Sequence, residues 1–221
     1  MVRQKVKGDL IVISGPSGSG KGTIISELLN SNDNIFLSVS ATTREPRDGE
    51  IDGVNYYFIS KEEFEKRIEN GCFLEFAKVH HGNYYGTLKD KVINKLDKGI
   101  DVILEIDIEG ALQIHETMKE AIFIFIMPPS MRELKRRLIN RKTESKEQIV
   151  DRFKKAYQEI NEVSKYNYVV INDEVNLAVE KVKSIIKAEK CRVDRIEDFD
   201  TFTKEEMIHE LLTEDLKDYK K

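Results

Sequence analysis

Leu10-Ile11-Val12-Ile13-Ser14-Gly15-Pro16-Ser17-Gly18-Ser19-Gly20-Lys21-Gly22-Thr23 is the stretch that decides the fold. Its first five residues are a short, β-branched apolar run that ends in a glycine cluster. From Thr23 to Leu29, Ile24, Ile25, Leu28 and Leu29 recur at helical spacing, so the order reads strand, loop, helix. Gly15 to Lys21 fits G-x-x-x-x-G-K in the context that motif requires. Such a loop wraps backbone N–H groups around an anion at the positive end of a helix, with Lys21 placed for the β- and γ-phosphates. Glycines at 15, 18 and 20 allow the sharp turn and the close approach. The candidate phosphate site is therefore Gly15, Pro16, Ser17, Gly18, Ser19, Gly20, Lys21, Gly22 and Thr23. Gly22 stands where a Ser or Thr would ordinarily offer a hydroxyl to Mg²⁺, and Thr23 follows it.

Outward from this unit the same kind of run recurs at Val102 to Ile106, Ile122 to Met127 and Tyr168 to Ile171, as expected for strands covered on both faces of a parallel sheet. Helical patterns cover Leu88 to Leu96, Met131 to Arg141, Gln148 to Lys165 and Val175 to Lys190. Strands alternating with helices predict an α/β fold. Between about 37 and 87 the pattern changes to short strands at Phe36 to Ser40, Tyr56 to Ile59 and Phe73 to Val79. One helix, Glu62 to Ile68, is opened by Ser60-x-x-Glu63. This is expected to be an inserted lobe at 37–87, with a core of 1–36, 88–129 and 167–190 and a charged two-helix flap at 130–166. Beyond it, 191–221 is an extension whose 203–218 reads as a docked amphipathic helix with Met207, Ile208, Leu211, Leu212 and Leu216 on one face.

The chain has 221 residues, with 36 Lys and Arg against 40 Asp and Glu, a net charge of -4. No global positive field would gather nucleic acid or an anionic membrane, so a phosphate site must be local. No apolar stretch approaches the roughly 20 residues that span a bilayer, and the N-terminus carries no cleavage signature, which predicts a cytoplasmic protein. Cys72 and Cys191 are expected to be free structural thiols. His80-His81 lacks zinc spacing and is expected to be solvated, and no structural metal is expected.

A glycine loop of this type describes only a donor site. An acceptor is suggested by Ser38 to Arg47, which gathers hydroxyls with Arg44 and Arg47, three apart around Pro46, so that both forks can close on one phosphate. Tyr56 follows Gly53, and Asn83-Tyr84-Tyr85-Gly86-Thr87 places phenols and a hydroxyl in a turn. Tyr57 and Tyr84 read as packing residues. Glu75, between Leu74 and Phe76, points away from an apolar wall by strand alternation.

These stretches together closely resemble guanylate kinases over about residues 8 to 190: ISGPSGSGKGT at 13–23, SVSATTREPRDGE at 38–50, DGVNYYF at 52–58, FLEFA at 73–77, GNYYGT at 82–87, LEIDIEG at 104–110, PPS at 128–130 and IND at 171–173. The resemblance implies a P-loop nucleotide-kinase fold and MgATP-dependent phosphorylation of GMP or dGMP, as a monomer or homo-oligomer. It assigns Arg44, Arg47, Tyr56 and Tyr85 to the GMP phosphate, and Ser40, Glu75 and Thr87 to guanine. Arg137, Arg141 and Arg152 match its lid arginines, while Arg132 and Arg136 read as solvated. Glu105 and Asp107 are expected to leave one face of a strand end, with Asp107 near the acceptor and both able to reach Mg²⁺ through water; the family usually has aspartate at both positions. Two other readings are weaker. A kinase for another nucleoside monophosphate is disfavoured by Glu75 with Ser40 and Thr87, and a catalytically silent interaction domain by Lys21 and the lid arginines.

Overall fold

The computed structural model describes residues 7–31, 34–79, 82–140 and 146–195. The expected roles of Arg141, of His80-His81 and of the helix at 203–218 therefore lie outside the described residues.

Five strands form the main sheet: β1 (Leu10–Ser14), β2 (Ile35–Leu37), β7 (Asp101–Glu105), β8 (Ile122–Met127) and β9 (Tyr168–Ile171), in the order β2-β7-β1-β8-β9 with all pairs parallel. Alternation on β1 explains why its run is unbroken. Ile11 and Ile13 face Ile24, Ile25 and Leu28 of α1 (Lys21–Asn30) and Val179 and Val182 of α7 (Val175–Glu189). Leu10 and Val12 face Val92 and Leu96 of α3 (Lys89–Leu96) and Ala111 and Ile114 of α4 (Ile108–Thr117). Both faces are buried, which is the physical reason a parallel strand is apolar at every position.

The second sheet holds β3 (Ala41–Thr42), β4 (Tyr57–Phe58), β5 (Phe73–Lys78) and β6 (Tyr84–Leu88), in the order β4-β3-β6-β5. Its small core is Ala41, Phe64 and Leu88, with Phe64 of α2 (Lys61–Glu69) stacked on Phe73 at 4.3 Å and on Tyr84 at 5.1 Å. The expected cap forms: the Ser60 hydroxyl accepts from the Glu63 N–H at 3.1 Å, an interaction of the kind that contributes about 1 kcal/mol. A helical pair, α5 (Met131–Asn140) and α6 (Lys146–Asn161), closes on itself through Leu134, Leu138 and Ala156.

Three readings change. The strand expected at Phe36 to Ser40 within the lobe is Ile35–Leu37 at the edge of the main sheet, paired with β7. The turn expected at 83–87 is strand β6, because Tyr84 to Leu88 pairs antiparallel with β5. Glu105 and Asp107 do not share a strand face. The strand ends at Glu105, and Asp107 is the N-cap of α4, its Oδ1 accepting from the Gly110 N–H at 3.1 Å. Helix α4 was not foreseen, because its cap Asp107 follows the strand run so closely that it reads as part of the strand end.

At the end of the sheet away from the glycine loop, Arg195 ties the chain down. Its guanidinium meets the buried carboxylates of Asp9 at 2.7 Å and Glu189 at 3.1 Å and the Glu120 carbonyl at 2.6 Å. Cys72 and Cys191 are free thiols. Among the described residues no helix is long and apolar enough to cross a membrane.

Candidate active site

The glycine loop leaves β1 and enters α1 as expected, with Gly15, Gly18 and Gly20 all at positive φ. At Gly20 the reason is also steric, since a Cβ there would stand 2.3 Å from Asn172 Nδ2. Asn172, only 2% exposed, donates from that nitrogen to the Ser19 carbonyl at 2.8 Å. Lys21 Nζ donates to the loop's own carbonyls, Gly15 O at 2.5 Å and Pro16 O at 3.4 Å. Lys21 and Asn172 thus brace the carbonyls of the loop.

A cleft of about 580 Å³ opens over it. The loop residues from Gly15 to Thr23 form one wall, while Glu105, Asp107 and Glu159 supply carboxylates and Tyr56 closes the side toward the second sheet. Glu159 was not anticipated. Burial raises its pKa, and the nearby ammonium groups of Lys155 and Lys21 counter that shift. The available signal was its spacing: seven residues after Arg152, it shares that residue's face of α6.

Arg44 is held on three sides. Nε donates to the Tyr85 hydroxyl at 3.1 Å, the terminal nitrogens take both oxygens of Glu50 at 2.9 Å each, and the Tyr56 ring lies 5.4 Å from the guanidinium carbon. The Arg44 fork holds the Glu50 carboxyl below its usual range, helped by the Arg47 N–H, which donates to Glu50 Oε2 at 2.7 Å. Arg47 itself is exposed beside this group. Tyr56 and Tyr85 meet edge to face at 5.7 Å, and burial raises the Tyr56 pKa. The structure therefore brings Arg44, Arg47, Tyr56 and Tyr85 together. Glu50 is the member that sequence reasoning missed, although it stands six residues after Arg44 in the same turn.

Deeper in, Glu75 on β5 is 6% exposed and accepts from the Thr87 hydroxyl at 2.7 Å. Burial pushes its pKa up to about 6; the neighbouring Asp107 adds to the shift and the Thr87 hydrogen bond opposes it. Ser40 lies just before β3, half-buried, with its carbonyl accepting from the Tyr57 N–H at 2.9 Å. Tyr84 and Tyr57 belong to the lobe core, and the Tyr84 hydroxyl donates to Glu65 at 3.2 Å, as the packing reading expects.

From the α5 and α6 pair, Arg137 reaches the glycine loop, donating to Ser19 O at 3.4 Å and to Asn172 O at 3.0 Å, and Arg152 donates to the Ser17 hydroxyl at 3.0 Å. Glu133 orients Arg137 through Nε at 2.9 Å and also pairs with exposed Arg136; these two, Arg136 foremost, hold the Glu133 carboxyl down at about 2.

The residues fit a hydrated Mg²⁺. Glu105 and Asp107 are hard oxygen donors on the cleft wall, and among the described residues no three His, Cys, Asp or Glu side chains are grouped to hold a metal by themselves. That combination suits an ion that keeps water and phosphate oxygens in its shell.

Comparison with known proteins gives a consistent result. The family profile described as guanylate kinase matches residues 7–189. A guanylate kinase of Clostridium tetani is 66% identical over 206 residues, covering 93% of this chain and 98% of its own length. One from Caldanaerobacter subterraneus is 58% identical over 204 residues, covering 92% of this chain and 98% of its own. Among solved structures, the guanylate kinase of Anaplasma phagocytophilum superposes with a TM-score of 0.70 at 36% identity, covering 88% of this chain and 92% of its own.

Proposed function

The chain belongs to the guanylate kinase family, and from that premise we propose how its residues transfer the γ-phosphoryl group of ATP to GMP or dGMP. The observation that carries the reading is the shared cleft: the glycine loop and Lys21 line one wall, and Tyr56, from the Arg44 cluster, lines another.

Little covalent chemistry is required of the protein. A phosphate monoester loses its second proton at about pH 6, so the attacking oxygen of GMP is already anionic at neutral pH and needs no base. Arg44, Arg47, Tyr56 and Tyr85 hold that phosphate. The loop amides from Gly15 to Thr23 and Lys21 hold the donor phosphates, with Arg137, Arg152 and Arg141 compensating charge on the group in flight. Asp107 and Glu105 would hold Mg²⁺ through water, and the ion would supply electrostatic stabilisation of the phosphates when bound. The α5 and α6 pair acts as the lid that keeps water from the donor, because water as acceptor would turn transfer into hydrolysis.

Guanine presents adjacent N1–H and N2–H donors, which the Glu75 carboxylate accepts together while Ser40 and Thr87 flank it. Adenine presents an acceptor at N1 and would face the carboxylate lone pair to lone pair. The test is diphosphate formation from ATP with GMP, dGMP, AMP, UMP and dTMP. Strong Mg²⁺-dependent turnover is expected only with GMP and dGMP, and equal turnover of AMP would overturn the assignment.

A further inference from the structure

The carboxylate that reads guanine stands on the second sheet, yet the groups that set its position come from a helix of the main one. Helix α4 packs against β5 through two side-chain positions three residues apart, which places them on one helix face. Gln113 brackets the strand backbone: its Nε2 donates to the Phe76 carbonyl at 2.9 Å, and its Oε1 accepts from the Phe76 N–H at 3.1 Å. A primary amide reproduces here the donor and acceptor pair that a neighbouring strand would offer, immediately after Glu75 in the chain.

Gly110 is the second position. It is buried, and a Cβ built on it would stand 2.7 Å from Glu75 Oε2 and 3.2 Å from Glu75 Cδ. The first figure is closer than real Cβ contacts come. The other carboxylate oxygen is already fixed by the Thr87 hydroxyl at 2.7 Å, so the group has a support on one side and a gap that must stay open on the other. Backbone freedom does not explain this glycine, because it lies within α4 and is not among those at positive φ. Its N–H also donates to Asp107 Oδ1 at 3.1 Å, which puts it between the two carboxylates of the acceptor site.

We propose that Gly110 and Gln113 are positioning residues for guanine recognition: Gln113 fixes the height of β5 over α4, and the missing side chain at 110 leaves the space in which the Glu75 carboxylate stands. This rests on the reading of Glu75 as the guanine acceptor. A Cβ at 110 meets the movable end of a glutamate rather than backbone, so the chain keeps its fold and the carboxylate is displaced. Alanine is also the better helix former.

The experiment is a double-mutant cycle: kcat/KM for GMP, KM for ATP and melting temperature for wild type, Gly110→Ala, Glu75→Ala and the double variant. Gly110→Ala is expected to lower kcat/KM for GMP by about tenfold or more, chiefly through KM for GMP, since an ångström of misplacement is costly in a desolvated site. KM for ATP and the melting temperature should hold. In the Glu75→Ala background the same substitution should change GMP kinetics by less than about twofold, because no carboxylate remains to be displaced. Gln113→Leu should show the same confinement to GMP. Unchanged GMP kinetics in Gly110→Ala, or an equal loss in both backgrounds, would overturn the proposal while leaving Glu75 as the guanine residue. A Glu75→Ala variant as efficient as wild type would overturn both.

Discussion

Glu50 holds Arg44 by both carboxylate oxygens at 2.9 Å each, while the Tyr85 hydroxyl takes the Arg44 Nε–H at 3.1 Å. With the Glu45 carbonyl, which accepts from Nη1 at 2.7 Å, four of the five guanidinium hydrogens are engaged by three residues, and these set the plane of the fork. Glu50→Gln removes one acceptor and the charge, so the fork can rotate. We expect KM for GMP to rise by about tenfold with KM for ATP unchanged. Competition by guanosine, which has no phosphate, should be unaffected. A variant that bound GMP more tightly would show that Glu50 competes with the phosphate rather than orienting its ligand.

Glu75 makes a prediction about pH. Burial raises its carboxyl from 4.5 to about 6, so between these values the native state holds more protons than the unfolded chain and wild-type stability falls as pH rises through that window. Above about pH 6 the charged form costs the fold about 2 kcal/mol. Glu75→Gln should therefore melt higher than wild type at pH 7.5, and the difference should shrink as pH falls toward 4.5. The same variant should lose about 30-fold or more in kcat/KM for GMP, because a guanine donor is left without an acceptor. In wild type, guanosine binding should weaken as pH drops through about 6. Equal melting temperatures at pH 7.5 would mean that the carboxylate is better solvated than its burial indicates.

Donor and acceptor sites should separate by mutation. Lys21→Ala is expected to slow transfer far more than it weakens GMP binding, and Arg44→Ala to weaken GMP chiefly. Calorimetric GMP affinities of both variants check this. Loss of GMP binding in Lys21→Ala, with no loss in Arg44→Ala, would contradict the division.

Arg195 concerns stability alone. Replacing it by Met leaves Asp9 buried without its ion pair, and Glu189 with only Arg192 and the Tyr168 hydroxyl, which should cost about 3 kcal/mol. Denaturant melts should show that loss while KM for GMP and for ATP stay at wild-type values. A shift in KM for GMP would connect this end of the sheet to the cleft.

What could be read from the chain divides along physical lines. The central strands β1, β7 and β8 were legible because parallel strands buried on both faces are apolar at nearly every position, as Ile11, Val12 and Ile13 are, whereas the edge strand β2 was read into the lobe. The glycine loop was legible because its chemistry is local. Strand β6 was hidden by the turn residues Gly82, Asn83 and Gly86 around and within it, and its pairing with β5 and β3 makes it a strand. Helix α4 was hidden because its cap, Asp107, looked like the end of the preceding strand. The clustering of Arg44, Tyr56, Tyr85, Glu75 and Thr87 came through the family resemblance. Asn172, Gly110 and Gln113 act by contacts between distant segments, which no spacing along one segment displays; Glu50, in the same turn as Arg44, and Glu159, on the Arg152 face of α6, carried a local signal that only their partners make specific.

The Lys21 ammonium already donates to Gly15 O and Pro16 O inside its own loop. A triphosphate entering the cleft would therefore exchange one set of oxygen partners for another, rather than supply partners to a bare cation. The heat of donor binding should accordingly be small compared with the number of contacts formed, and much of the driving force should come from water and counterions released as the polyanion is enclosed.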